Sequence, residues 1–433
     1  MYIFRYTAGA PPVSHGRESE ALMRINGIIA EYNPFHNGHR FQLEESLRLT
    51  GARYTVVVMS GNFVQRGAPA LVNKYKRAEM ALLSGADLVL ELPVLYASSS
   101  AEYFATGAVT LLDRLGAVTD LCFGSECGDA GLLRGIAEIL LEEPPAYKNS
   151  LKQYLREGKS FPAARAEALI QNYPFLSGQQ NVFTSPNNIL GIEYIKALCR
   201  RKSVMNAVTV RRTGSGYHSR FPEEDQCSAL AIRQALYAGA DMKFLKNNMP
   251  AQAAEVLAGQ LEKTGPVRSN DLSEMLYYKL LEEKETGYDT YLDVSSDLSD
   301  RIRGHLNGFK NYEDFCDQLK TKEMTYTRIS RCLLHILLGL KKSDMEQAQA
   351  LGFIPYARIL GFKKASAPLL GEIRARASVP LITKLADAGT LLDRAAYEIL
   401  DLDIRTSQLY NGIVSHRTSE TPQNEISTSP VIL

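Results

Sequence analysis

The chain has 433 residues, 45% hydrophobic and 22% charged, with 49 Lys and Arg against 48 Asp and Glu. Such a length suggests two or three domains with cores able to fold unaided, and the composition excludes collagen, coiled-coil arrays and wholesale disorder. The near-neutral balance excludes a polycation, so any nucleic-acid surface has to be local. No window of about 18 apolar residues marks a membrane span. The six cysteines are scattered, with neither zinc nor secretory disulfide spacing, which fits a reducing cytoplasm.

Residues 1–22 mix Gly, Pro, Ser and charge and lack the apolar stretch of a signal peptide. They read as a disordered leader or an upstream start, with the fold beginning at about Met23. Ile25–Glu31 is a short apolar run suited to a buried strand, and helical spacing follows over Phe41–Leu49. Tyr54–Met59 is β-branched and reads as a second strand, and Lys76–Ser84 as a helix ended by Gly85. A third strand, Asp87–Leu92, stops at Pro93; a helix over Ala101–Leu115, a strand over Asp120–Phe123 and a helix over Ala130–Glu142 complete the alternation. This order predicts a parallel sheet flanked by helices, which binds ligands at the carboxyl ends of its strands. The segments Tyr32–His39, Ser60–Gly67 and Gly124–Asp129 are therefore where chemistry is expected.

After about Phe221 helical patterns dominate: Ser228–Ala238, Ala251–Leu261, Asp271–Glu283, Thr327–Leu340 and Ala367–Arg376. The spacing predicts domains at 23–220 and, mainly helical, at 221–412. The Ser-, Thr- and Pro-rich remainder, 413–433, is expected to be a flexible tail.

The informative motif is His36-Asn37-Gly38-His39, between the first strand and the first helix. Imidazoles three residues apart at a helix start share one side, beside unpaired backbone N–H groups and the positive end of the dipole. Phosphate oxygens are attracted there, and imidazole can donate hydrogen bonds to an α-phosphate as charge accumulates during attack. Gly38 leaves room for a nucleotide, and Pro34 restricts Asn33 to an extended conformation. Histidines that merely cap a helix are the bland alternative; a zinc site lacks a third ligand with suitable spacing. Neither a Walker A sequence nor G-x-G-x-x-G occurs.

With this H-x-G-H signature the sequence resembles the nucleotidyltransferase superfamily of adenylate-forming α/β enzymes. Longer strings go further: IIAEYNPFHNGH, MSGNFVQRGAPALVNKYKRAEMALLSGADLVLELP, FGSE, SPNNILGIEYIKAL, RRTGSGYHS and YTRISRCLLHILLGL. Together, over about Met23 to Arg405, they resemble the bacterial tRNA(Met) cytidine acetate ligase family. The resemblance implies a Rossmann-like nucleotidyltransferase domain followed by a mainly α-helical, tRNA-binding domain. It implies that ATP and acetate form an acetyl-adenylate and pyrophosphate. The acetyl group then passes to N4 of the wobble cytidine of elongator tRNA(Met), with Mg²⁺ on the nucleotide and without acetyl-CoA as donor.

Carried over residue by residue, the family's ATP loop falls on Ile29, Ala30, Glu31, Tyr32, Asn33, Pro34, Phe35, His36, Asn37, Gly38, His39, Arg40, Phe41 and Gln42, with His36 and His39 catalytic. Gly124 would let the adenine or ribose approach the backbone, unless it is a plain turn glycine. Asn188 would bond the nucleotide, unless it caps a helix or Asn187 makes the contact. Arg212 and Thr213, at a strand's carboxyl end, would face phosphate; a solvated arginine is the alternative. A second phosphate motif of the superfamily is matched in part, by Ser228 and Arg233, but Leu230 stands where a hydroxyl residue is usual.

Two further groupings follow from the residues themselves. Ser60, Asn62, Gln65, Arg66, Lys74 and Arg77 cluster after the second strand, and Lys74 or Arg66 could neutralise acetate or pyrophosphate. Met324–Lys384 holds ten Lys and Arg against three acids, a net of +7, in a near-neutral chain. Within it Arg328, Arg331, Arg358, Lys363 and Lys364 could meet an RNA backbone, with Tyr326, Tyr356 and Phe362 available to stack on bases. A helical domain with solvated cations and core aromatics is the alternative. Two other functions remain at this level: a nucleotidyltransferase adenylating a small phosphorylated substrate, and an RNA-binding protein using ATP structurally. The basic helical half argues against the first, and the histidine pair against the second.

Overall fold

The computed structural model describes residues 23–212, 227–418, 421 and 424–433. The expected leader 1–22, Thr213 and the expected 220/221 boundary lie outside the described residues.

The chain alternates as its apolar runs predict, with β1 (Ile25–Ala30), α1 (Asn37–Thr50), β2 (Tyr54–Ser60), α2 (Lys74–Leu83), β5 (Leu88–Leu92), α4 (Ala101–Arg114), β6 (Asp120–Ser125) and α5 (Ala130–Glu142); a small hairpin of β3 (Phe63–Val64) and β4 (Ala68–Pro69) before α2 and a short helix α3 (Val94–Ala97) after β5 are additions to that pattern. Three helices, α6 (Pro145–Arg156), α7 (Phe161–Asn172) and α8 (Pro186–Arg201), then lead to β7 (Asn206–Arg211). The helical half holds α9 (Ala229–Tyr237), α10 (Met242–Asn248), α11 (Ala251–Thr264), α12 (Ser273–Glu282), α13 (Ser296–His305), α14 (Tyr312–Leu319), α15 (Tyr326–Leu338) and α16 (Lys342–Ala350). It ends with β8 (Ala357–Phe362), α17 (Ala367–Arg376), β9 (Leu381–Ile382), α18 (Ala388–Leu391), α19 (Arg394–Thr418) and β10 (Val431–Ile432).

The main sheet has the order β10-β8-β5-β2-β1-β6-β7, with β9 beside β8. From β5 to β7 its neighbours are parallel, and β8 runs antiparallel to β5. The carboxyl ends of β5, β2, β1, β6 and β7 thus share one edge, and the loops after them converge there.

Strand alternation sorts the core into two layers. Val56 and Val58 join Leu111 of α4 and Ile195 of α8 on one face; Val57 and Met59 join Leu43 of α1, Ala81 of α2 and Leu257 of α11 on the other. Each fully buried Val of β2 contributes about 1.5–3 kcal/mol relative to exposure. A third cluster packs α12, α14, α15 and α19 against Phe63 of the hairpin and Val94 of α3. No helix among the described residues is long and apolar enough to cross a membrane.

Two expectations differ from what is observed. The helical half supplies strands to the sheet: β8, buried along nearly its whole length, pairs Glu91 with Arg358 and Leu88 with Phe362. Its sequence, ARILGF, has one β-branched residue and no alternation, so no periodic signal marks it. The segment expected as a flexible tail opens inside α19, where Ile413 is buried, and closes as β10 on Gly361 and Phe362 of β8. Between them Glu425 is buried because two cations hold its carboxylate.

Candidate active site

The turn after β1 is held from beneath. Asn33 Oδ1 accepts from the Leu71 amide at 2.8 Å, and Phe35 packs edge-on against Tyr32 with ring centroids 4.8 Å apart. Arg77 of α2 is fully buried; its guanidinium donates to the Glu31 carbonyl at 2.6 Å, the Ser60 carbonyl at 3.1 Å and the Gly61 carbonyl. One side chain therefore ties the ends of β1 and β2 together under the H-x-G-H turn. Ile29, Tyr32, Asn33, Pro34 and Phe35 are buried parts of this scaffold.

His36 is the N-cap of α1 rather than a residue of its first turn, and His39 is the third helical residue. The His36 Nδ1 accepts from the Gly38 amide at 3.0 Å, and the His39 Nδ1 accepts from the His36 amide at 3.2 Å. Each neutral ring therefore keeps its proton on Nε2. The rings stack with centroids 3.7 Å apart at 29°. A Cβ on Gly38 would lie 2.9 Å from His36 Cε1, so glycine here is what lets the ring fold back over the helix start. Burial, aided by the Arg212 charge, pushes His36 down to about 3. Burial, then His36 and Arg212, holds His39 well below its ordinary value. Both imidazoles are thus neutral donors near neutral pH, at the positive end of α1.

Arg212 follows β7 and lies across β6: a Cβ on Gly124 would stand 3.1 Å from its Cγ and 3.2 Å from its Cδ. Gly124 is a strand residue paired with Val210, not a turn glycine. Beyond it, Glu126 and the Asn187-Asn188 pair clamp the loop to α8. Asn188 Oδ1 accepts from the Glu126 and Cys127 amides at 2.9 and 3.1 Å, while Glu126 accepts from the Asn188 amide at 2.8 Å and from Asn187 Nδ2 at 2.7 Å. Asn188 is buried and Asn187 half-buried. The carboxylate sits on the first amides of α8, where the helix dipole favours it.

Arg233 of α9 reaches the same place, donating to the Asn33 carbonyl at 2.5 Å. Ser228 caps α9 by accepting from the Ala231 amide at 3.2 Å, and Leu230 is exposed. Asn37 ties α1 to the Asn247 carbonyl at 3.0 Å, next to the end of α10, and Arg40 pairs with Glu44 at 2.7 Å. Phe41 is exposed and Gln42 half-buried on α1.

Other expected residues lie elsewhere. Lys74 is fully buried and holds Glu91 at 2.7 Å and Glu425 at 2.6 Å, so its charge is already matched and does not meet acetate or phosphate. Arg358 is buried on the same two carboxylates, at 2.8 and 2.5 Å, and is no RNA contact. Tyr356 is buried and donates to Asp403 Oδ2 at 2.8 Å, which removes it as a base platform, and Phe362 packs against the core. Lys363 and Lys364 follow β8 at the sheet edge opposite the histidines. Arg331 is half-buried 3.9 Å from Asp293, whereas Arg328 is exposed. Tyr326, beside them at the start of α15, is partly buried in the helical core. Arg66 is exposed near Arg233. Sequence reasoning missed Glu126 as the loop clamp; an acid directly after a strand end was its one signal.

What converges is two neutral Nε2–H donors, a helix N-terminus and two arginines around the loops after β1, β6 and β7. The arrangement suits a phosphate chain whose charge increases during reaction. Among the described residues no group of three or more His, Cys, Asp or Glu is placed to hold a metal ion.

Known proteins share this arrangement of sequence and fold. The sequence model of the HIGH Nucleotidyl Transferase family matches residues 23–425. The tRNA(Met) cytidine acetate ligase of Acetivibrio thermocellus is 40% identical over 392 residues, 90% of this chain and 94% of that protein. The one of Caldanaerobacter subterraneus subsp. tengcongensis is 43% identical over 370 residues, 84% of this chain and 89% of that protein. A crystal structure of Thermotoga maritima TmcAL bound with alpha-thio ATP superposes with a TM-score of 0.87 at 32% identity, covering 95% of this chain and 100% of that one.

Proposed function

We propose, for a chain that belongs to the HIGH nucleotidyl transferase family and to the family of the tRNA(Met) cytidine acetate ligases, the reaction of the latter: ATP-dependent acetylation of N4 of the wobble cytidine in elongator tRNA(Met). The observation that carries the reading is the stacked pair His36 and His39, with Nε2–H donors at the N-terminus of α1 and Arg212 beside them.

A carboxylate oxygen of acetate attacks the α-phosphorus of ATP in line, and pyrophosphate leaves. His36 and His39 donate from Nε2 to phosphate oxygens as negative charge gathers there. Being neutral, they do so without a proton leaving or arriving. Arg212 and Arg233 supply the positive charge, and the absent side chain at Gly124 lets the nucleotide close on β6. Mg²⁺ fits this site as a partner of the triphosphate rather than of a protein cage, and there it would neutralise β- and γ-phosphate charge. In the second step the cytidine amine attacks the acetyl carbonyl, the mixed anhydride breaks, AMP leaves with the electron pair, and the proton shed by the amine passes to the AMP phosphate or to water. In this reading acetyl-CoA has no part in either step, and the enzyme works in the cytoplasm beside its tRNA.

The test incubates purified protein with ATP, Mg²⁺, labelled acetate and bulk bacterial tRNA, then digests the tRNA. Label in N4-acetylcytidine that needs ATP and disappears with His36→Ala or His39→Ala supports the reading. No label, with pyrophosphate released only on addition of a small phosphorylated acceptor, would establish a small-molecule nucleotidyltransferase instead.

A further inference from the structure

The β3–β4 hairpin is a short bridge with both of its sides anchored. On one side the Gln65 amide donates to Glu31 Oε1 at 3.0 Å, fixing the tip to the strand end that leads into His36. On the other, the Gly67 carbonyl accepts from Ser330 Oγ at 2.8 Å and Tyr312 hydroxyl at 3.0 Å, fixing it to α15 and α14. Arg66 stands between these anchors, exposed, with no ion pair or hydrogen bond among the described residues.

The cations around it form a seam between the histidine site and the helical half. Arg233 lies close enough to Arg66 for the two charges to repel, and Arg328 stands two residues before Ser330 on α15. Arg268 lies over the Tyr237 ring at 4.5 Å from its centroid. Of the acids nearby, Asp271 pairs with Arg417 and Asp293 lies beside Arg331; Glu313 and Glu31 accept from the Asn270 side chain and the Gln65 amide, and Glu31 offsets the charge of Arg233. The guanidinium groups of Arg66, Arg268 and Arg328 have no acidic partner among the described residues, although the Arg268 amide donates to Asp271. Arg66 faces Arg233, Arg233 and Arg268 both flank Tyr237, and Arg328 lies by Arg331, whose backbone abuts Gly67; arginines strung along a surface in this way are relieved by a polyanion, and a guanidinium matches phosphate in a bidentate fork.

We propose that Arg66 holds the backbone phosphate of an RNA loop beside the phosphate site, with Arg328 and Arg268 continuing the track. The inference rests on the acceptor being RNA, as proposed above. It makes Arg66 a positioning residue for the second half-reaction rather than a ligand of the triphosphate. The single-stranded character of a loop suits the seam, where Tyr237 and Arg268 offer a flat platform.

The experiment compares wild type with Arg66→Lys, Arg66→Glu and Arg328→Glu, each first checked for an unchanged melting midpoint. Filter binding of a tRNA(Met) anticodon stem-loop is measured at several salt concentrations, and ATP–pyrophosphate exchange with acetate is measured without RNA. Arg66→Glu is expected to weaken RNA binding about tenfold or more and to lower the salt slope by about 0.7. Arg66→Lys, which keeps the charge but not the fork, should leave the salt slope near wild type and lose less affinity than Arg66→Glu, as a structural role would not. An exchange KM for ATP that rises as far as the RNA Kd, or RNA binding that both charge reversals leave intact, would overturn the assignment. Failure of the acetate reading has a different signature: wild-type protein that binds the stem-loop but forms no N4-acetylcytidine, while the arginine variants still report on the RNA track.

Discussion

His36 and His39 stack with centroids 3.7 Å apart, each with its Nδ1 occupied by a backbone amide of the same turn. The pair is at once a helix cap and a two-point donor, and the two roles can be separated. Asparagine caps helices as well as any residue but carries no Nε2–H in that position. His36→Asn should therefore melt close to wild type while acetate-dependent ATP–pyrophosphate exchange falls by about 100-fold or more. An equal loss of melting temperature and exchange would mean that His36 acts only as the cap.

The depressed histidines also fix a direction of pH dependence. His36 titrates at about 3 in the folded protein against an ordinary 6.5, because burial and Arg212 oppose its charge. As pH falls the unfolded chain binds this proton first, so stability present above 6.5 is lost progressively between 6.5 and about 3. Imidazole nitrogen NMR should show His36 as the neutral Nε2–H tautomer at pH 5. A cationic ring at that pH would contradict the donor geometry.

Gly124 and Arg212 offer a probe of the proposed nucleotide site that leaves the fold alone. A methyl at position 124 would press on Arg212 Cγ at 3.1 Å, which is the middle of a flexible exposed side chain rather than backbone. Alanine in a strand is otherwise favoured over glycine by roughly 0.5–1 kcal/mol. Gly124→Ala should thus keep or slightly raise the melting temperature and raise the KM for ATP about tenfold, the equivalent of about 1.4 kcal/mol. Combining it with Arg212→Ala should add little, since the methyl acts by displacing that guanidinium.

What could be read from the sequence was what is local. His36-Asn37-Gly38-His39 announced its strand-to-helix junction because capping, dipole and glycine all act within four residues. Strands β1, β2, β5 and β6 were legible because both faces are buried and their apolar runs are continuous, whereas the two-residue strands β3 and β4 are too short to carry a pattern. Lys74 was misread for the opposite reason: nothing near it shows that Glu91 and Glu425, from β5 and the chain's last residues, will take its charge. Arg358 looked like surface for the same cause, and β8 around it has no period to reveal it. Glu126 and Asn188 lie 62 positions apart, and only the packing of α8 beside β6 brings them together.

That buried cluster makes the last prediction. Lys74 and Arg358 face Glu91 and Glu425, two cations and two carboxylates, all buried, with the Tyr75 hydroxyl 3.1 Å from Glu425 Oε1. Burial alone would raise the Glu425 carboxyl, but Lys74 and Arg358 outweigh it and push it down to about 2. A carboxyl depressed in the folded state stabilises above its ordinary 4.5, and that contribution is lost as pH falls from 4.5 towards 2. Glu425→Gln keeps the shape and removes the charge, leaving two buried cations against one carboxylate, which costs about 3–5 kcal/mol. Urea unfolding at pH 7 should show a loss of that order, shrinking as pH falls from 4.5 towards 2, where the unfolded wild-type chain takes up the proton before the folded one does. Exchange activity at low temperature should survive in the folded fraction, because the cluster lies two strands away from β1 in the sheet. A variant as stable as wild type would mean that the end of the chain does not dock on Lys74 and Arg358 in solution.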